Sequence, residues 1–117
     1  MDILTVAQNI VKVLSDKKGL NIKLIKISDV SVVADYMVLC TGNSSTHVKA
    51  LSDEVEYKLK NLGVPVNHIE GHRSNSWVLL DYLDVVVHIF SNEAREFYNL
   101  DRLWEDGEEI DIYEYID

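Results

Sequence analysis

The run Asp35 to Thr41 (DYMVLCT) constrains this chain most, because it is apolar almost without interruption and is broken at once by Gly42-Asn43-Ser44. A strand with apolar side chains on both faces belongs inside a sheet that helices cover. The flanking segments supply such helices. Ile3, Val6, Ala7, Ile10, Val11 and Leu14 recur at the spacing of one buried helical face. Lys17 and Lys18 suit its negative end, and Gly19 is expected to provide the left-handed stop. After the break, Val48, Leu51, Val55, Leu59 and Leu62 mark a second helix, with Ser44 or Ser45 as N-cap and Gly63 and Pro65 beyond its end.

The remaining elements read as strands and one more helix. Residues 20–27 alternate as a strand, and 28–34 form a connector. Residues 66–70 form a short strand and 71–76 a polar loop. The segments WVLLDY (77–82) and VVVHIF (85–90), joined through Leu83-Asp84, predict a hairpin. Ser91 or Asn92 caps a third helix whose Ala94, Phe97 and Tyr98 share a face, and Leu100, Leu103 and Trp104 continue apolar. The prediction is a single α/β domain in the order α-β-β-α-β-β-β-α, a mixed five-stranded sheet with helices packed on it.

Charge narrows the function. Twenty acids against eleven bases give a net charge of −9, which disfavours binding to nucleic acid or anionic membrane and favours a basic protein partner. Residues 101–117 hold eight acids and one base, so −7 of that charge is terminal; the default reading is a solvated tail. The lone Cys40 excludes an internal disulfide and fits a reducing compartment. No apolar run approaches the roughly 18 residues of a membrane span. Met1-Asp2-Ile3-Leu4 has neither the basic start of a signal peptide nor the look of a transit sequence, so a cytoplasmic protein is expected.

Candidate chemistry is thin. His68 and His72 are four apart, but Gly71 between them argues against the helix that would align them, and His47, His88 and Cys40 lie elsewhere; no metal site is expected. His88, inside VVVHIF, reads as a core or interface histidine. Gly42 to Ser45 sits at a strand-to-helix turn that can hold an anion, yet it matches neither phosphate-loop nor dinucleotide patterns, and a Gly bend with a Ser cap explains it. Asp81 and Asp84 flank a hairpin turn, where acids are ordinary turn residues. No catalytic residue and no cofactor are predicted.

The aromatic residues say more. Trp77, Tyr82, Phe97, Tyr98 and Trp104 gather in the last third of the chain. Phe97 and Trp104 are expected to pack the third helix onto the hairpin, whereas Trp77 and Tyr98 are candidates for an interface with an acidic rim.

Three blocks in order resemble the ribosomal silencing factor (Iojap-like) family: ADYMVLCTGNSSTHVKAL (34–51), EGHRSNSWVLLDYLDVVVHIF (70–90) and EAREFYNLDRLW (93–104). The resemblance covers residues 1–105 as the domain and leaves 106–117 as an acidic tail. It departs from the family at Leu83, where the hairpin usually carries Gly, and at Met37, where Phe is usual. It implies a nucleotidyltransferase-like fold without the catalytic carboxylates. It also implies binding to the large ribosomal subunit through the basic protein L-fourteen, a block on joining of the small subunit under nutrient limitation, and a homodimer when free. The absent transit sequence points to a bacterial member. The expected contact residues are Trp77, Leu79, Asp81, Tyr82 and Tyr98, with Asp84 and Arg95 nearby. Strand alternation puts Trp77, Leu79 and Asp81 on one side and Val78, Leu80 and Tyr82 on the other, and the first set is preferred. An assembly adaptor for the large subunit needs the same surface, and a nucleotide-binding module using Gly42 to Ser45 and Asp81 is the enzyme-class alternative.

Overall fold

A computed structural model of the chain describes residues 1–71, 76–103 and 105–116. Helix α1 (Ile3–Asp16) starts where the Asp2 carboxylate accepts the Thr5 amide at 2.8 Å, and it buries Val6, Ala7, Ile10, Val11 and Leu14 as the spacing requires. The left-handed residue that ends it is Lys18 (φ 66°) rather than Gly19. Gly19 is there for room: a Cβ would stand 2.5 Å from Cys40 Sγ and 2.9 Å from the Leu14 carbonyl oxygen.

Strands β1 (Leu20–Lys26) and β2 (Tyr36–Gly42) follow, then α2 (Ser45–Asn61), β3 (His68–Glu70), β4 (Trp77–Asp81) and β5 (Val85–Ser91). The chain continues through α3 (Asn92–Tyr98), the single turn α4 (Leu100–Leu103) and β6 (Glu108–Ile110). The sheet runs β3-β4-β5-β2-β1-β6. Its centre is parallel, with Met37 opposite Val86 and Leu39 opposite His88, and every other pairing is antiparallel.

Among the described residues the sheet therefore has six strands, not five. The sixth comes from the acidic segment that composition marks as a solvated tail. Lys26 pairs with Glu108 and Leu24 with Ile110, while Ile110, Ile112, Tyr115 and Ile116 pack against the core. Gln8 Nε2 donates to the Tyr115 hydroxyl at 2.8 Å. Pairing removes an open edge from β1, and the interspersed apolar residues repay ordering this stretch despite its charge.

The two faces of the sheet are covered unequally. Val38, Cys40, Val78, Leu80, Val87 and Ile89 pack beneath α1 and α2. The opposite face holds a smaller cluster built on Ile25, Ile27, Met37, Leu39 and Phe90, to which, among the described residues, α3 contributes the helical residue Ala94. Burying Cys40 at the sheet centre raises its thiol pKa to about 12, so it stays protonated and inert at neutral pH.

Arg95 fastens that single helix. Its side chain is 7% exposed, forks onto both carboxylate oxygens of Asp101 at 2.9 Å, and donates to the Asn21 carbonyl at 2.8 Å and Thr41 Oγ1 at 2.9 Å. Its guanidinium lies 5.3 Å from the centre of the Phe90 ring. Lys23 adds a 3.0 Å contact to Asp101. The Arg95 hydrogen bonds, followed by the one from Lys23, hold the Asp101 carboxyl well below the usual carboxylate range.

Two stability predictions follow from these contacts. Arg95→Ala should cost about 3 kcal/mol in urea unfolding, because it leaves the Asp101 carboxylate with Lys23 alone and takes the donor from two further acceptors. Asp101→Asn should cost about 1–2 kcal/mol at pH 7, limited by the solvent reaching a carboxylate that is 35% exposed. Since the folded-state pKa of Asp101 is lowered, its contribution is full above the unfolded value near 4 and drains as pH falls below it. The gap between wild type and Asp101→Asn should accordingly close in acid. At the β4–β5 turn, Leu83 is exposed and held at φ 71°. Leu83→Gly should relieve that left-handed strain and raise stability by about 0.5–1 kcal/mol.

Candidate partner-binding face

Alternation along β4 sorts the expected contact residues onto two sides. Trp77, Leu79 and Asp81 are half-buried on the thinly covered face, and Val78 and Leu80 are buried beneath the helices. Tyr82 goes with the second set. It is 7% exposed and packs in the main core, where burial and then Glu56 push its phenol pKa up. Tyr82 is thus a core residue, which corrects its placement among the contacts.

Arg95 is corrected in the same way, because all its described contacts are internal and it anchors α3 instead of facing a partner. Asp84 lies at the exposed hairpin end, where its carbonyl accepts the amides of Asp35 and Tyr36 at 2.8 and 3.1 Å. Asp81 Oδ1 accepts the Leu83 amide at 2.7 Å, as an acid at a turn commonly does.

Trp77 and Tyr98 meet at a ring separation of 5.0 Å, and Phe97 stands edge-on to Tyr98 at 4.9 Å. Phe97 is 81% exposed and Tyr98 53%, so Phe97 does not pack onto the hairpin as the sequence suggested. The cause is local: α3 ends at Asn99 in a left-handed conformation after only seven residues, and it turns Ala94 and Arg95 inward. Trp104 and His72 lie outside the described residues.

Beside these rings runs a groove of about 280 Å³ between the sheet and residues 27–34, lined by Leu79, Val86 and His88 with Asp81 at its polar side. Val32 and Val33 stand exposed on its flank. Trp77 Nε1 donates to His88 Nδ1 at 3.0 Å, so that nitrogen carries no proton. Burial lowers the His88 pKa to about 4, which leaves the ring neutral at physiological pH. Phe97, Val86 and His88 were not among the expected contacts. The last two share the strand phase of Phe90, which pairs with Trp77, so period-two counting through VVVHIF was the available signal.

The other candidates resolve into structural roles. Ser44 is the N-cap of α2 and accepts the His47 amide at 3.1 Å. His47 Nδ1 accepts the Asn43 amide at 2.9 Å, and its Nε2 lies 3.0 Å from the Lys17 carbonyl. These bonds engage amide groups of the loop that an anion would need. Gly42 is required by close approach, since a Cβ there would stand 2.8 Å from Val48 Cγ2. His68 bonds Glu70 at 3.1 Å on the exposed edge strand. Among the described residues, no three His, Cys, Asp or Glu side chains are grouped to hold a metal ion, and no helix is long and apolar enough to cross a membrane.

Comparison with known proteins gives this surface a family context. The family model described as "Ribosomal silencing factor during starvation" matches residues 1–116. A ribosomal silencing factor of Bacillus subtilis is 38% identical over 83% of this chain and 82% of its own. A more distant mouse relative, named for mitochondrial assembly of the ribosomal large subunit, is 29% identical over 81% of this chain and 43% of its own. A crystal structure of a Chromobacterium violaceum protein superposes with a TM-score of 0.87 at 38% identity, covering 89% of this chain and 87% of that one. The chain belongs to the ribosomal silencing factor family.

Proposed function

We propose that this protein represses translation without catalysis, by docking the open face of its sheet on the basic ribosomal protein L-fourteen and holding off the small subunit by its own bulk. The observation that carries the reading is the array of half-buried Trp77 with exposed Tyr98 and Phe97 beside an apolar groove, on a chain of net charge −9. Ribosomal RNA repels such a chain, whereas a basic protein attracts it; charge speeds encounter and the rings retain the partner. Little direct RNA contact is needed. The protein acts in the bacterial cytoplasm, where ribosomes assemble, and is a homodimer when free.

A second reading, an assembly adaptor for the large subunit, draws on the name of the mouse relative. It uses the same face and differs only in outcome. The nucleotide-binding alternative is weaker, because the Asn43 amide of the Gly42 to Ser45 loop is already bonded to His47 Nδ1 and the Ser44 hydroxyl caps α2.

A joining assay with purified subunits separates the readings. Increasing protein should lower the yield of joined ribosomes, and Trp77→Ala should shift the half-effective concentration by about thirtyfold, corresponding to about 2 kcal/mol. Tyr82→Phe, altered on the covered side, should act like wild type. Co-sedimentation with large subunits but undiminished joining would favour the adaptor and overturn repression.

A further inference from the structure

The ring array that faces solvent stands on one polar contact. Trp77 donates its indole hydrogen to His88 Nδ1 at 3.0 Å, their ring centres are 5.9 Å apart, and Trp77 in turn supports Tyr98 at 5.0 Å. Tyr98 supports Phe97. An indole N–H has a single direction, so a fixed acceptor fixes the ring plane about the side-chain torsions. His88 is itself well held: it lies mid-strand in β5, between Leu79 on β4 and Leu39 on β2, with its ring 6.5 Å from that of Phe90.

We propose that His88 is a positioning residue for partner docking: its neutral imidazole, unprotonated at Nδ1, orients Trp77 so that the exposed rings are preformed for the partner. The inference deepens the proposed function and rests on it. Preformation matters because a side chain that must be ordered on binding spends part of the contact energy on its own immobilisation. Neutrality matters as well. A protonated His88 would have no acceptor for the indole and would set a positive charge in a face meant for a basic partner.

The surroundings keep the ring neutral. From β4 the groups facing His88 are the Trp77 indole, Leu79 and the Asp81 carboxylate across the groove, and from residues 27–34 they are apolar apart from the Ser31 hydroxyl. From α3, the Tyr98 ring meets the Trp77 indole. Among the described residues Asp81 is the one charged group lining this groove, its Oδ1 is bonded to the Leu83 amide, and burial lowers the imidazole pKa to about 4. The unfolded chain takes up its proton near 6.5, so this histidine costs the fold nothing above that value and opposes it progressively as pH falls toward 4.

Two variants divide acceptor from shape. His88→Asn can return an acceptor oxygen near the Nδ1 position, and His88→Phe keeps a ring without an acceptor. Nitrogen–proton correlation spectra of the free protein should show the His88 tautomer with its proton on Nε2 between pH 8 and 5.5. The Trp77 indole resonance should move in His88→Phe and stay near wild type in His88→Asn. Binding of each variant to purified large subunits at pH 7.5 should then fall about five- to tenfold for His88→Phe and recover in His88→Asn. An unmoved indole resonance in folded His88→Phe, or a His88 that titrates near 6.5, overturns the positioning role whatever the ribosome does. A moved resonance with unchanged binding overturns its part in docking. If wild type itself fails to bind large subunits, the proposed function and the docking role fall together, while the spectra still decide whether His88 orients Trp77.

Discussion

The parallel pairing of β2 with β5 is the constraint on which the rest of the molecule depends. It aligns Val38 and Cys40 with Val87 and Ile89 beneath α1 and α2, and Met37 and Leu39 with Val86 and His88 on the other side. A parallel pair needs both faces sheltered. Two long helices shelter the first face. On the second, α3 has only seven residues, and its burial is concentrated in Ala94 and Arg95. What remains is a half-covered sheet face with a groove and standing rings. Thin coverage at that one place is what leaves Trp77, Tyr98 and Phe97 available to a partner.

Arg95 reconciles a buried charge with a short helix. Four of its hydrogen bonds reach three separate stretches of chain, at Asn21, Thr41 and Asp101. The Asn21 carbonyl is presented where the β1–β2 register shifts and Asn21 takes φ 47°, a conformation that asparagine tolerates better than most residues. A local irregularity in β1 thus fixes the helix that carries the rings.

Period and punctuation made much of this readable. The doubly apolar β2, the Ser44 cap and the alternation that puts Trp77, Leu79 and Asp81 together all follow from local pattern. The misreadings share a cause, which is dependence on distant residues. Strand β6 was hidden because acids dominate its composition while its partner β1 lies more than eighty residues away. Arg95 resembles a surface residue until Asp101 and Asn21 converge on it. Phe97 depends on where the left-handed Asn99 stops α3, and Tyr82 on the strand parity that carries it beneath the helices.

The central claim is directional: one face of the sheet meets the ribosome and the helical face does not. Oxidative footprinting of the protein, free and bound to purified large subunits, reads this directly from its aromatic residues. Phe97 and Tyr98 stand exposed on the open face, and Tyr57 stands exposed on α2. The account predicts that binding suppresses oxidation of Phe97 and Tyr98 and leaves Tyr57 as reactive as in the free protein. Protection of Tyr57 with Phe97 and Tyr98 unchanged would contradict it.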